Sequence, residues 1–299
     1  MASPLLPELS WNDCLRPDWR VAPRVRALVS TRNGGVSVAP YGRWSAAGGD
    51  APGGLNLGRH TGDEPAAVEA NRARLLALTG QPRAAWLEQV HGTAVVRADA
   101  VLARAAELTA DPTADPTADA ATDAAAAVVR ADASVTDVPG AVCVVMVADC
   151  MPVLFCDPDG RAVGAAHAGW RGLVAGIVED TARQVAALAG VEASRLRVYL
   201  GPAIGPTAFE VGADVAAAFA EAAMPAEREA SARAFVAIDG SPGKYHADLY
   251  ALARLRAARL GITEVAGGGA CTVTERERYY SYRRDRVTGR MAAMIWLDA

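Results

Sequence analysis

Three residues able to bind a metal, or to act as nucleophile and base, each come at the end of an apolar run: His91, Cys150 and His167. Ala84 to Val90 leads into His91, Ala141 to Val147 into Ala148-Asp149-Cys150, and Arg161 to Ala166 into His167. At the end of a strand, polar side chains can leave the core and converge on a pocket. Two imidazoles and one thiolate make three ligands for Zn²⁺ and leave a fourth position for water or substrate, the pattern of a catalytic zinc site. Alternatively, Cys150 is a nucleophile activated by His167. Asp149 would then orient the imidazole, although neighbours along a strand point to opposite faces. A third reading is structural, because cysteine is among the most buried residue types. Repeated placement at run ends favours a functional set and leaves ligand and nucleophile both open.

The elements that must position these residues are readable in outline. Ala141 to Val147, Val153 to Cys156 and Arg161 to Ala166 read as neighbouring strands, with Asp157-Pro158-Asp159-Gly160 as a turn between the last two. His167-Ala168-Gly169-Trp170-Arg171-Gly172 opens a helix expected to begin just after Gly172. Free backbone N–H groups and the Arg171 fork make that helix start an anion-binding candidate. Elsewhere, Val25 to Ser30, Leu196 to Leu200 and Met291 to Leu297 read as strands, and Thr31 to Ser37 as a turn. Thr61 or Asp63 is expected to cap a helix from Pro65, with His60 in the loop before it. Ala213 to Ala234 reads as helix, and Asp248 caps an amphipathic helix through Leu260.

Composition narrows the class. With 299 residues, 52% of them hydrophobic and 21% charged, the chain can bury a substantial core. A net charge of −4 argues against a general nucleic-acid or membrane partner. Five cysteines without a Cys-x-x-Cys pair fit a reducing compartment, and the N-terminus lacks the pattern of a signal peptide, so a cytoplasmic location is expected. We read residues 1–24 as a Pro-rich lead-in and 25–299 as one domain. Its Ala-Asp-Pro-Thr tract at about 109–122 is a low-complexity insertion.

The motifs appear in the order of one known family. They are Thr31-Arg32-Asn33-Gly34-Gly35-Val36-Ser37, Asn56-Leu57 with His60, Gln89-Val90-His91-Gly92, Asp132-Ala133, Ala148-Asp149-Cys150-Met151-Pro152, Ala166-His167-Ala168-Gly169-Trp170-Arg171-Gly172, Gly201-Pro202-Ala203-Ile204-Gly205 and Tyr280-Ser281-Tyr282-Arg283-Arg284. From about residue 25 onward the chain resembles the bacterial laccase-domain family, also described as multicopper polyphenol oxidoreductase-like and now regarded as purine nucleoside phosphorylases. The resemblance implies a single α/β domain with mixed β-sheets layered between helices, frequently dimeric. It implies a zinc site at His91, Cys150 and His167, with copper as the older assignment. The implied activities are phosphorolysis of adenosine, inosine and methylthioadenosine, and deamination of adenosine. Some members are described instead as peptidoglycan editing factors, which would suit a Cys150/His167 hydrolase.

Phosphorolysis needs a phosphate beside the anomeric carbon and a proton donor for the departing purine. Arg171, Arg32, Asn33, Ser281 and Arg283 are the candidates for binding phosphate or substrate, and His60 or Asp149 for the proton. Deamination suits a metal that activates water. Multicopper oxidation suits the chain badly, because its only histidines are His60, His91, His167 and His246. A non-catalytic metal- or nucleoside-binding protein is the remaining alternative.

Overall fold

A computed structural model describes residues 8–110 and 128–299; the Ala-Asp-Pro-Thr tract lies, from residue 111 on, outside the described residues. Two sheets face each other across a shared core. The first runs Cys14–Leu15, Val25–Ser30, Met291–Leu297, Cys143–Val147, all antiparallel. The second runs Val265–Gly267, Arg197–Leu200, Met151–Cys156, Val163–Ala168, Ala133–Thr136, Val95–Arg97. Its outermost pairs are parallel and its inner pairs antiparallel.

Side chains alternate between the faces of a strand, and that alternation builds the layers. Val29, Val145, Ala293 and Ile295 of the first sheet meet Leu154, Cys156, Val163 and Ala165 of the second. The alternate positions of the first sheet, including Leu28, Val144, Met294 and Trp296, pack with Leu75 of the helix Pro65–Thr79. Those of the second, Val153, Phe155 and Ala166, pack with Val178, Ala182 and Val185 of the helix Ile177–Ala189. The order is helix, sheet, sheet, helix: an α/β fold with mixed sheets between helices. Strands covered on both faces read as continuous apolar runs, which is why the central runs show no polar alternation. Among the described residues no helix is long and apolar enough to cross a membrane.

Several local expectations change. Cys143–Val147 is not hydrogen-bonded to Met151–Cys156; it pairs with Met291–Leu297 in the other sheet, which makes Ala148-Asp149-Cys150 a crossover between sheets. The helix expected after Gly172 starts at Trp170 and is broken by Gly176, at φ 101°, into Trp170–Ala175 and Ile177–Ala189. The Ala213 to Ala234 helix is also two pieces, Ala213–Ala222 and Arg228–Arg233, with Pro225 between them. Of the apolar run Ala84 to Val90, only Leu87–Glu88 is strand. Neither Thr61 nor Asp63 caps the helix Pro65–Thr79, whose cap position is Glu64. Asp248 does cap its helix, accepting from Ala251 N at 3.0 Å. The lead-in is packed from residue 8 onward: Cys14–Leu15 pairs with Val25–Ser30, and Trp11 and Trp19 lie against the core.

Two of the sequence motifs are tied together by one buried amide. Asn71 Oδ1 accepts from Val36 N at 2.8 Å, while Nδ2 donates to Ser37 Oγ, Gly54 O and Asn56 O at 2.9, 3.2 and 2.9 Å. A Cβ on Gly35 would stand 2.1 Å from Gly54 O and 2.5 Å from Asn71 Oδ1, so only glycine lets the segments meet. Asn56 in turn accepts from Arg290 N at 2.8 Å, which fixes the start of the last strand beside the His60 loop. Asn71→Ala strands several buried partners at once. It should lower stability by about 3 kcal/mol in urea denaturation; a loss below about 1 kcal/mol would show the network to be dispensable.

Candidate functional site

His91, Cys150 and His167 arrive from separate parts of the chain and meet. Their potential ligand atoms all lie within 4.8 Å of one another, and no other such group of His, Cys, Asp or Glu occurs among the described residues. Cys150 Sγ is 3.6 Å from His91 Nε2, and the two imidazole rings are 4.8 Å apart, centroid to centroid, at 72°. Zinc–sulfur and zinc–nitrogen bonds at a tetrahedral angle place S and N roughly 3.5 Å apart, the separation of Cys150 Sγ and His91 Nε2, so these donor types could hold that ion.

The centre of this arrangement is Asp132, a residue given no role in the sequence reading. Its Oδ1 accepts from His167 Nδ1 and from His91 N, both at 2.9 Å, and its Oδ2 from Gly92 N at 2.7 Å and Val90 N at 3.2 Å. One carboxylate thereby shapes the Val90-His91-Gly92 turn and holds the ring of the other histidine with Nε2 facing the site. Carboxylate-to-histidine bonds of this kind fix tautomer and orientation in metal sites. Gln89 extends the clamp, bonding both N and O of Met146 in the neighbouring sheet at 2.7 and 2.8 Å. Burial would raise the Asp132 carboxyl, but hydrogen bonds from His167, Gly92 and His91 prevail and hold it below the usual range.

Cys150 sits at the end of the crossover, beside Asp149, whose φ is 88°. Asp149 Oδ1 accepts from Thr272 Oγ1 and Oδ2 from Arg283 N, both at 2.6 Å, and its carbonyl accepts from Ile204 N at 2.9 Å. These bonds hold the crossover in a conformation that a residue with a Cβ rarely adopts. Burial would raise the Cys150 thiol, yet the neighbouring His167 and His91 bring it down to about 6. Burial likewise opposes charge on His167, but Cys150 and Asp132 raise it to about 9. Each partner thus favours the charged form of the other, a thiolate beside an imidazolium, and a metal would have to displace the imidazole proton. A Cβ on Gly169 would lie 2.9 Å from both Cys150 Sγ and His91 Cδ2, so the close approach of the three residues requires glycine there.

The triad opens into a cavity of about 730 Å³, within the size range of small-molecule sites. Its lining includes His60, Asp149, Phe209, Tyr282, Arg283, Arg286 and Arg290. The last three arginines form no ion pair among the described residues, whereas Arg276 and Arg284 are both paired with Asp285. Arg283 Nη1 donates to Glu210 O at 3.0 Å, and its guanidinium stands 5.4 Å from the centre of the Phe209 ring. Burial, then Arg290 and Arg72, pull the His60 imidazole down, so it is neutral at physiological pH.

Of the residues considered for phosphate or substrate, only Arg283 reaches this cavity. Arg171 is exposed and lies over the Trp170 ring at 4.4 Å, on a helix of a turn and a half. Arg32 is buried, donates to Gly42 O and Asp50, and stacks 4.8 Å from the Tyr280 ring centre. Asn33 Nδ2 donates to Glu277 O at 3.0 Å. Ser281 is the cap of the short helix Tyr282–Asp285, accepting from Arg284 N at 3.2 Å. Arg32, Asn33 and Ser281 hold the fold around the site, and Arg171 lies on the surface. Asp149 lines the cavity, but both its oxygens accept hydrogen bonds from O–H or N–H donors, so it is an anchor rather than a proton donor. Arg286 and Arg290 were missed because the chain is rich in arginine. The available signal was their place between the Tyr-Ser-Tyr-Arg-Arg motif and the last strand.

Fold and site define an α/β protein with a three-ligand metal candidate in the wall of an arginine-lined cavity. The family described as multi-copper polyphenol oxidoreductase laccase matches residues 26–298, and the chain belongs to that family. A Pseudomonas aeruginosa protein named purine nucleoside phosphorylase is 45% identical over 287 residues, 96% of this chain and 99% of its own length. The Escherichia coli purine nucleoside phosphorylase YfiH is 46% identical over 282 residues, covering 94% and 97%. Among solved structures, a Neisseria meningitidis protein of family DUF152 superposes with a TM-score of 0.76 at 44% identity, covering 96% of this chain and 100% of that one. YlmD from Geobacillus stearothermophilus gives 0.78 at 30% identity, covering 98% of both.

Proposed function

We propose that this protein is a purine nucleoside phosphorylase that carries zinc at His91, Cys150 and His167 and acts on adenosine, inosine or methylthioadenosine. The names of its relatives support the reaction class. The observation that carries the reading in this chain is the cavity itself, where unpaired guanidinium groups converge next to the triad. Arg283 and Arg290 are half-buried and Arg286 exposed, none with a carboxylate partner among the described residues, an arrangement suited to an anionic ligand, and arginine matches the geometry of phosphate.

In this reading the arginines orient inorganic phosphate for attack on the anomeric carbon, while Phe209 offers an aromatic wall for the base. Asp149 keeps the crossover and the Arg283 backbone in register. His60, being neutral, gives a hydrogen bond to the departing purine rather than a full positive charge. His91, Cys150 and His167 would hold a divalent ion, which would supply Lewis acidity at this wall of the cavity. Because the triad faces the same cavity, adenosine deamination is a second activity of the site.

A Cys150/His167 hydrolase acting on peptidoglycan precursors, and copper-dependent phenol oxidation, are the alternatives. A single metal-capable group with two imidazoles among the described residues gives little support to the second.

The test is to incubate zinc-loaded protein with adenosine, with and without phosphate. Ribose 1-phosphate formed only with phosphate supports phosphorolysis, and inosine supports deamination. Neither product, alongside turnover of a cell-wall precursor or a phenol, overturns the reading. Arg283→Ala should raise the KM for phosphate about tenfold or more, whereas Arg171→Ala, on the outer surface, should leave it unchanged. The reverse ranking would move the phosphate site to the helix start.

A further inference from the structure

Three non-glycine residues have positive φ among the described residues: His91 at 61°, Asp149 at 88° and Arg286 at 61°. All three line the one cavity. The first two are explained by the site already described, since Asp132 ties down the turn at His91 and Asp149 anchors the crossover. Arg286 has no such account. Its ψ is −61°, so it lies outside the left-handed helical region that asparagine or aspartate tolerates. Val287 N donates to Asp285 O at 2.7 Å across it, which makes a γ-turn of the rare, strained hand. Such a conformation costs of order 1–3 kcal/mol and persists where the surroundings over-determine it. Only glycine adopts it without strain.

The surroundings do over-determine it. Arg286 N donates to Tyr282 O at 3.0 Å and closes the short helix Tyr282–Asp285, while Asp285 is gripped by Arg284 and by Arg276. On the far side, Asn56 holds Arg290 N at 2.8 Å. The turn is therefore clamped at both ends, and the side chain it presents lines the cavity. Arg286 and Arg290 each stand 5.9 Å from the centre of the same Tyr282 ring, and neither guanidinium meets a carboxylate among the described residues. Arg290 Nη1 donates to Thr288 O and Gly289 O, both at 3.1 Å, and the two cations beside one ring make this stretch of the cavity wall positive, which an anion would neutralise.

We propose that Arg286 is an anion-positioning residue, held in a strained γ-turn so that its guanidinium and that of Arg290 grip one oxyanion of the substrate pair across Tyr282. This rests on the phosphorolysis reading and adds to it the residue and the backbone device that hold the phosphate. An arginine on a relaxed turn would be free to swing into solvent. The γ-turn exchanges stability for a fixed direction of the side chain.

The charge and the strain separate experimentally, because glycine relieves the backbone and alanine does not. Binding of inorganic phosphate to the zinc-loaded full-length chain is measured by calorimetry, alongside thermal unfolding, for wild type, Arg286→Gly, Arg286→Ala and Arg286→Lys. Arg286→Gly should melt a few degrees higher than wild type and bind phosphate about tenfold more weakly. Arg286→Ala should show the same loss of binding without the gain in melting temperature, and Arg286→Lys should recover part of the binding. A glycine variant that melts higher but binds phosphate as wild type does would show the strain to be unrelated to the anion. One that melts lower would show the turn to be relaxed. Either result overturns the proposal, as does a wild type that binds no phosphate. If phosphate binds and responds as expected but no ribose phosphate forms from any nucleoside, Arg286 stands and the phosphorylase reading falls.

Discussion

Asp132→Asn should cost the protein its metal and a good part of its stability together. The carboxylate accepts from His91 N, Gly92 N, Val90 N and His167 Nδ1. An amide of the same shape has one acceptor oxygen, and its NH₂ must then face N–H donors on one side. A buried donor facing a donor costs about 1–3 kcal/mol, and at least one such conflict is unavoidable here, with a change of His167 tautomer or a second conflict beside it. Loss of a carboxylate behind a metal-binding histidine lowers metal affinity roughly 10- to 100-fold. The expected result is a fall of about 3 kcal/mol in unfolding free energy with at least a tenfold rise in the zinc dissociation constant. The pH dependence has a definite sign. Asp132 has a folded pKa below its unfolded value, so its contribution is present above the unfolded pKa of roughly 3.9 and is lost as pH falls through the folded one. The stability gap between wild type and Asp132→Asn should therefore be full at neutral pH and close in acid. A gap that does not change with pH would mean that the carboxylate carries no charge-dependent load.

Gly169→Ala should remove the metal while leaving the fold in place. The backbone at Gly169, φ −68° and ψ 162°, is one that alanine adopts without strain. The added methyl would lie 2.9 Å from Cys150 Sγ and from His91 Cδ2, closer than real contacts allow. Neither neighbour can retreat cheaply. Cys150 is fixed by a crossover tied at Asp149, and His91 by a turn tied to Asp132. The methyl therefore pushes two ligands apart by a few tenths of an ångström, in a site whose ion tolerates only about 0.2 Å in its bond lengths. We expect zinc affinity to drop by about 100-fold, with the metal-free chain still folded and melting a few degrees below wild type. Wild-type zinc content in this variant would mean that the three residues are not a metal site.

How much of this was legible in the sequence depended on whether the signal was local. His91, Cys150 and His167 could be read because each closes an apolar run, and polar groups leave a core at strand ends. Their meeting could not be read, since the strand before Cys150 belongs to the other sheet and a strand buried on both faces looks alike in either. Asp132 went unassigned because its partners are backbone N–H groups some 40 residues away, and main-chain donors leave no mark in a residue pattern. The Arg171 expectation treated the helix start as a site, but the helix is six residues long and its arginine lies on tryptophan in the open. Ser281 and Arg32 make local bonds that a residue pattern does not reveal: one caps a helix, the other braces the loop around Gly42.

The account stands on one cavity holding both the metal and the anion. The direct measurement is a crystal of the zinc-loaded protein soaked with inorganic phosphate and diffracted across the zinc absorption edge. One anomalous peak bounded by His91 Nε2, Cys150 Sγ and His167 Nε2, with phosphate density touching Arg283, Arg286 or Arg290 in the same cavity, is the predicted result. Zinc bound elsewhere, or phosphate seated at Arg171 with the arginine-lined cavity vacant, would contradict it.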